Sequence, residues 1–201
     1  MEILFLLVGL AIVWRLANRA AQQRRIALLA QHLSPLRIEM LMSTLMEGYL
    51  RALGETDPQR QQQVWGVLAT AEAEIETQMG RLAESVRAID PAQARISRLP
   101  MAVPLIDQWW PQACFDLREA LAIHARGVAF VRSQHGWTNK ERAFAMTAEL
   151  MLMQHTCHWY CQSRMVASAR VLARHKTSHA QVLAGVSDTT REAYLRLTGG
   201  A

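Results

Sequence analysis

The residues with the clearest potential for chemistry lie in the stretch 150–163 (LMLMQHTCHWYCQS), which contains no Asp, Glu, Lys or Arg. On a helix, where successive residues turn by about 100°, Cys157, His158 and Cys161 fall within one arc of roughly 100°. Thiolate and imidazole groups on one face can bind zinc or copper, or offer axial ligands to haem. The pattern therefore allows a metal site at these three residues.

The same stretch is also typical of a helix buried in a protein core. Free cysteines are among the most buried residue types, and hydrogen-bonded histidines pack there too. Structural zinc sites usually use C-x-x-C turns, whereas this is C-x-x-x-C within a helix, so other elements would have to complete the ligand set, with Cys114 and His124 as candidates. We expect core packing and no cofactor, with 150–163 as the central rod of a helical bundle.

No other pattern indicates catalysis. Phosphate-binding loops, G-x-S-x-G, H-E-x-x-H and the E-x-x-H pairs of di-iron bundles are absent from the sequence. His175 and His179 have i,i+4 spacing, but Thr177 and Ser178 lie between them near a predicted helix end, so we expect both imidazoles to face solvent. The sequence predicts a protein that is not an enzyme, although a membrane-bound enzyme built from separate helices stays an alternative.

Composition predicts an all-α fold. The 201 residues are 51% hydrophobic, with only six prolines, and Ala, Leu, Gln, Arg, Glu and Met are common. These residues lose little rotamer freedom in a helix. Three cysteines without framework spacing disfavour a disulfide scaffold and favour a reducing compartment.

An apolar run, Ile3–Trp14 (ILFLLVGLAIVW), begins the chain and extends past Arg15 to Ala17. Its length is close to the lower limit of about 17 residues for a membrane-spanning helix, with Arg15 extending toward the interface. Glu2 precedes the run and arginines follow it, which is the reverse of a signal peptide. We therefore expect an uncleaved single-pass anchor with the N-terminus outside and the body, from about residue 18, in the cytoplasm. The alternative is a partly buried helix of a soluble bundle.

The net charge of +5 is uneven along the chain. Residues 1–37 and 162–201 each carry +4, which leaves −3 for the middle. The basic group that follows the anchor can meet anionic lipid headgroups at about 1 kcal/mol per residue, or can simply form a solvated face that fixes topology. This group consists of Arg15, Arg19, Arg24 and Arg25. No aromatic-interleaved basic cluster accompanies it, so nucleic-acid binding is not expected. Twenty arginines against two lysines suggest a GC-rich bacterial source, and hence the bacterial inner membrane.

Two amphipathic helices are expected in residues 34–90, after a first helix that continues unbroken to Leu33. Ser34-Pro35 and Asp57-Pro58 are typical helix starts, because a polar N-cap precedes a proline that lacks an N–H. The second helix has a heptad-like apolar face that should pack along another helix and could support a homo-oligomer. This face consists of Val64 or Trp65, Leu68, Ala71, Ile75, Met79, Leu82, Val86 and Ile89.

Residues 91–111 form the predicted long loop, since four prolines interrupt helical periodicity there. Trp109 and Trp110 are its dense aromatic spot, for which we predict a contact with a partner or the membrane surface. The alternative is that both tryptophans fold back onto the bundle. Residues 112–201 are expected to complete a bundle of about four long helices, including one at about 111–133, one at 139–176 and a short one starting at Asp188.

These features favour a non-catalytic, membrane-anchored structural or assembly subunit. The expected setting is a larger bacterial inner-membrane machine, such as a secretion, conjugation, pilus or respiratory complex, with protein partners besides the membrane. A metal- or haem-binding accessory protein that uses Cys157, His158 and Cys161 is the first alternative.

Overall fold

The computed structural model describes residues 1–200 and confirms an all-α fold. Two three-residue strands are the exception among the described residues: β1 is Arg95–Ser97 and β2 is Cys114–Asp116. The helices are α1 Glu2–Leu33, α2 Ile38–Gly54, α3 Pro58–Ser85, α4 Ile106–Trp109, α5 Leu117–Ser133, α6 Asn139–Cys161, α7 Arg164–His175, α8 His179–Gly185 and α9 Asp188–Thr198.

Helix α1 is unbroken from Glu2 to Leu33, as the sequence predicts. It is long and apolar enough to cross a membrane, and residues 1–17 are exposed along their whole length. Contact with the body begins at Asn18 and deepens to Leu29, which is buried against the bundle. The apolar end thus projects from the body, while the polar end packs on α3 and α6.

Helix α2 begins later than predicted. Ser34-Pro35 does not start it: Ser34 ends α1, where its N–H donates to the Ala30 carbonyl at 2.8 Å. Pro35 has no N–H with which to continue the α1 ladder, so the chain turns before Ile38. The Asp57 cap of α3 is confirmed, since its side chain accepts the Gln59 N–H at 2.9 Å.

The heptad-like face of α3 is buried inside the chain, where it packs against α2 and α5. Leu68, Ile75, Met79 and Leu82 are at most 2% exposed. The apolar surface on which self-association through 58–89 was predicted is therefore already occupied by the protein's own helices.

Residues 91–116 are more ordered than the predicted loop. β1 and β2 pair antiparallel, with Arg95 opposite Asp116 and Ser97 opposite Cys114. The fourth long helix therefore starts at Leu117 and not at Pro111, and Asp116 caps it by accepting the Arg118 N–H at 2.8 Å. Strands of three residues are too short to show an alternating pattern in the sequence.

The predicted helix 139–176 is two helices. Its start is confirmed by the capping box of Thr138 and Glu141, but α6 ends at Cys161. Ser163 has extended backbone and caps α7 by accepting the Val166 N–H at 3.3 Å. The last helix is capped by Ser187, one residue before the predicted Asp188. The central stretch of α6 is buried, as expected for the rod of the bundle.

Candidate functional sites around α1 and α6

A cleft of about 620 Å³ lies between α1, the segment 99–108 and the C-terminal end of α6. We call it the α1 cleft. Asn18, Gln22 and Arg25 line it from α1, just after the apolar part of that helix. Tyr160 and Ser163 line it from the end of α6. The cleft therefore adjoins the only helix of the described chain that is long and apolar enough to cross a membrane.

Arg25 holds the walls of the α1 cleft together. Its guanidinium lies 3.7 Å from the Asp107 carboxylate, donates to the Tyr160 carbonyl at 3.5 Å, and sits 5.7 Å from the centroid of the Tyr160 ring. Arg95 donates to the Asp107 carbonyl at 2.6 Å from the other side. Burial raises the pKa of Tyr160 to about 12, so its hydroxyl stays protonated and donates to the Gln93 carbonyl at 3.0 Å.

The other arginines of the predicted basic group are solvent-exposed. Arg24 is exposed and lines the α1 cleft next to Arg25. Arg15 and Arg19 are exposed and lie outside the cleft lining. The structure therefore divides the four arginines into two at the cleft and two on the open face of α1.

Trp109 and Trp110 do not fold back onto the bundle. They are 75% and 53% exposed, and the exposed side chains of Met101 and Leu105 extend the same segment. We call these four residues the tryptophan patch. The Asn18 side-chain amide donates to the Ala102 carbonyl at 3.3 Å, which ties the segment to α1 one residue after the apolar stretch.

Leu105, the N-cap residue that precedes α4, has a left-handed backbone with φ 60°. For a leucine this conformation costs about 1–2 kcal/mol. Its carbonyl accepts hydrogen bonds from the N–H groups of Gln108 and Trp109 at 2.9 and 3.0 Å. The strained residue therefore fixes the turn of backbone that carries Trp109. Backbone strain of this kind is often found at functional sites.

The predicted metal-ligand face is present on α6, but two of its three side chains contact residues outside the proposed ligand set. The Cys157 thiol lies 3.6 Å from the Met153 sulfur, and His158 Nδ1 lies 3.2 Å from an Arg170 nitrogen. Burial raises the pKa of Cys157 to about 12 and of Cys161 to about 11. Burial, followed by Arg170, lowers the pKa of His158. These thiols are protonated at neutral pH, whereas a metal needs thiolates.

The metal hypothesis for Cys157, His158 and Cys161 stays a prediction. Nowhere in residues 1–200 do three His, Cys, Asp or Glu side chains group as a metal ion would require. His124, which the sequence offered as a further ligand, instead bonds to Thr156 at 2.9 Å through Nε2.

A second group of histidines surrounds His155 and Thr156 of α6. His155 bonds to Ser168 Oγ at 3.0 Å, and its ring stacks on His179 with centroids 4.1 Å apart. The Thr156 hydroxyl lies 3.2 Å from that of Tyr194 and so links α6 to α9. The expectation that His179 faces solvent is therefore wrong.

The histidines of this group are neutral. Burial lowers the pKa of His124 to about 3, and burial, then the neighbouring His179 and Arg164, lower that of His155 to about 2. Burial and Arg164 lower the pKa of His179 to about 4. General acid or base catalysis at neutral pH favours a pKa near 7, and the pKa values of these three histidines lie well below that.

Glu149 is a buried carboxylate that sequence reasoning missed. Its Oε1 accepts the backbone N–H and hydroxyl of Ser187 at 3.1 and 3.0 Å, which fixes the start of α9 on α6. Burial is the largest influence on its pKa and raises it, against the lowering effect of the Thr190 and Ser187 hydrogen bonds. In the sequence, Glu149 only bounds an uncharged stretch, and no local signal places it inside the core.

An open apolar groove of about 840 Å³ separates α2 from the first half of α6. Leu50 is 75% exposed and Phe144 is 67% exposed, and both line it. Met46, Leu53 and Met151 complete its apolar walls. We call it the α2–α6 groove. No motif in the sequence marks this groove, although Leu50 and Phe144 fall outside the buried stripes of their helices.

Comparison with known protein families, curated proteins and solved structures gave no match.

Proposed function

We propose that the protein is a non-catalytic, membrane-anchored subunit that docks a helical body onto a larger bacterial inner-membrane assembly. Helix α1 acts as the anchor and stalk, and the body presents a binding surface to a protein partner. Secretion, conjugation, pilus and respiratory complexes are machines of the proposed kind.

The α2–α6 groove is the observation that carries this proposal. Large apolar side chains on a soluble surface normally occur singly, whereas grooves lined by several of them are typical of binding sites for partner helices. Leu50, Leu53 and Phe144 line one groove and are all exposed. Flexible methionines at Met46 and Met151 suit an adaptable contact with an apolar side chain.

The proposed orientation depends on charge. Glu2 precedes the apolar part of α1, and Arg15, Arg19 and Arg24 follow it as exposed residues. Positively charged flanks stay on the cytoplasmic side, so the body would lie in the cytoplasm. Three free cysteines are compatible with that reducing compartment.

The alternative of a metal- or haem-binding protein has weaker support. Its candidate thiols have raised pKa values, as described above, and a metal would have to overcome the cost of deprotonating them. Two of the three candidate ligands are already engaged, by Met153 and Arg170.

Affinity purification from detergent-solubilised bacterial membranes tests the partner proposal. We expect stoichiometric co-purification of at least one membrane-assembly protein with the wild-type chain, and its loss with Leu50→Asp/Phe144→Asp. A matched control is Val67→Asp, because Val67 is an exposed apolar residue of α3 outside the groove. A partner that binds all three proteins equally would contradict docking in this groove.

Extraction of the membrane fraction at high pH tests the anchor. The full chain should stay with the membrane, and a chain that lacks residues 1–17 should be released, since those residues make no packing contact with the body. Release of both forms would contradict the anchor. The cytoplasmic orientation can be tested with a variant that has its three native cysteines replaced and one cysteine introduced at Gly136, an exposed turn residue. This cysteine is labelled with a membrane-impermeant reagent from either side of the membrane.

A further inference from the structure

We propose that the α1 cleft binds the headgroup of an anionic phospholipid, so that the body is held against the bilayer by a bound lipid as well as by the helix. This inference rests on the proposed membrane anchoring and assigns a ligand class to a site beside the anchor. The ligand is a lipid phosphate with its glycerol and the first part of its acyl chains.

The position of the cleft relative to the apolar part of α1 is the first argument. Asn18 and Gln22 begin the cleft lining immediately after Ala17, where the apolar stretch ends. About 17 helical residues span only about 25 Å, whereas the hydrocarbon core of a bilayer is about 30 Å thick. A short span thins the bilayer or draws its flanking turn into the interface, and either response brings the mouth of the cleft to the headgroup layer.

The charge of the cleft is the second argument. Arg24, Arg25 and Arg95 line it against a single carboxylate, Asp107, so the ionised lining groups carry a net charge of +2. Guanidinium groups bind phosphate through paired N–H donors. Basic pockets beside membrane-spanning helices on the cytoplasmic side are typical sites for anionic lipid headgroups.

The chemistry of the walls is the third argument. The lining combines polar residues such as Asn18, Gln22 and Ser163 with apolar residues such as Val103 and Ile106. A free inorganic anion would make no favourable contact with apolar side chains, whereas a glycerophospholipid presents a charged phosphate next to acyl carbons. The volume of about 620 Å³ falls within the range of about 300–1,000 Å³ that is common for small-ligand sites.

The tryptophan patch adds a surface that would lie beside the bound lipid. Trp109 and Trp110 follow Asp107 by two and three residues, and Asp107 is paired with Arg25 in the cleft. Tryptophan side chains favour the headgroup level of a bilayer, because one end of the indole is apolar and the other donates a hydrogen bond. The cleft and the patch would then face the same interface.

The test is a lipid titration of the full-length protein in an uncharged detergent, followed by native mass spectrometry. Phosphatidylglycerol, phosphatidylcholine and inorganic phosphate are the three probes. We expect phosphatidylglycerol to bind at least tenfold more tightly than phosphatidylcholine, and inorganic phosphate to leave lipid occupancy unchanged at equal concentration.

Two variants and a matched control locate the binding. Arg24→Gln should weaken phosphatidylglycerol binding about fivefold, the factor that corresponds to about 1 kcal/mol for one basic residue at a lipid surface. Gln22→Trp should abolish it by filling the cleft without changing charge. Arg19→Gln is the control, since Arg19 is exposed on the same helix but does not line the cleft. It should bind lipid like the wild type.

The outcomes separate this inference from the proposed function. Equal weakening by Arg19→Gln and Arg24→Gln would show diffuse attraction only and overturn the site. Displacement of lipid by inorganic phosphate would make it a general anion site and overturn the lipid assignment. A detergent-requiring protein that binds both lipids equally would contradict the inference but leave the anchor intact, whereas a chain that is soluble without detergent would contradict both.

Discussion

The imidazole ring of His155 on α6 stacks on that of His179 on α8, with ring centroids 4.1 Å apart and planes inclined by 29°. The Nδ1 of His155 and the Nε2 of His179 are buried without a hydrogen-bond partner. Protonation of either ring would bury a positive charge near Arg164, and protonation of both would place two positive charges in contact, so the stack favours two neutral rings.

The body should therefore lose stability in mild acid. His124 and His155 have folded pKa values of about 3 and about 2, far below the value of 6.5 expected when unfolded. The stability of the folded state is not reduced by these two histidines above pH 6.5. It falls as the pH drops below that value, because the unfolded chain then binds protons that the folded chain does not. Each should cost about 2 kcal/mol between pH 7 and pH 5, seen as a lower midpoint of thermal unfolding in detergent.

A pair of glutamine variants identifies the source of this pH dependence. His155→Gln keeps a donor for Ser168 but cannot titrate, so the difference in midpoint between pH 7 and pH 5 should shrink. His135→Gln is the control, since His135 lies exposed in the turn between α5 and α6 and should leave the difference unchanged. Equal acid sensitivity in His155→Gln and the wild type would contradict this origin.

Gly127 on α5 is expected to tolerate no side chain. A Cβ atom there would lie 2.3 Å from Glu149 Oε2 and 2.4 Å from Thr190 Oγ1, so the contact that joins α6 to α9 would have to move. Gly127→Ala should destabilise the protein by about 1–3 kcal/mol. Gly80→Ala on α3 meets open space and should stabilise it by about 0.5–1 kcal/mol. Thermal unfolding of the two variants checks the opposite signs, and destabilisation by both would contradict the steric explanation.

Much of the helical architecture could be predicted from the sequence because it depends on local signals. The absence of Gly and Pro from Arg15 to Leu33 predicts an unbroken first helix, Asp57 and Thr138 predict two helix starts, and three- and four-residue spacing predicts the buried side of α3. Each of these effects acts within a few residues, and each was confirmed.

The errors arose where distant residues decide the local structure. The strand Arg95–Ser97 exists only because it pairs with residues about twenty positions later. The break after Cys161 depends on extended backbone at Ser163, without a nearby Gly or Pro to mark it. Both features shape the α1 cleft, so the sequence predicted Arg25 and Trp109 as surface residues but not the cavity beside them.

Glu72 on α3 shows the same limit within a correctly predicted helix. The heptad pattern predicts it on the polar side, but it is 4% exposed and accepts a hydrogen bond from the Tyr49 hydroxyl at 2.8 Å. The Arg142 guanidinium lies 3.4 Å from its other oxygen. This group joins α2, α3 and α6, and burial, followed by Glu72, raises the pKa of Tyr49.

We expect substitution of either partner of Glu72, Tyr49 or Arg142, to lower the free energy of unfolding. Tyr49→Phe removes a hydrogen bond to a buried carboxylate and should destabilise the protein by about 1.5–3 kcal/mol. Arg142→Met leaves the carboxylate without its positive partner and should cost about 3 kcal/mol or more. Unfolding free energies of the single and double variants should be non-additive, since both act on one group.

The exposed pair of Glu84 and Arg87, 2.7 Å apart, provides the comparison. Both side chains are 70% exposed, so Arg87→Met should change stability by less than about 1 kcal/mol. If Arg142→Met lowered the free energy of unfolding as little as Arg87→Met, burial of Glu72 would not increase the stability cost of losing its positive partner.

The three cysteine thiols should react slowly with an aromatic disulfide reagent at pH 8 while the protein is folded. Burial raises the pKa of Cys157 to about 12 and of Cys161 to about 11, and burial, followed by Asp107, raises that of Cys114. At pH 8 only about one Cys161 side chain in a thousand is then a thiolate, because the thiolate fraction falls tenfold for each pH unit below the pKa. Denaturant should release all three thiols at the ordinary rate, which controls for prior oxidation. Rapid reaction in the folded state without a chelator would contradict the raised pKa values. Acceleration of the reaction by a chelator would instead mean that Cys157 and Cys161 are metal-bound thiolates and would favour the metal-binding alternative.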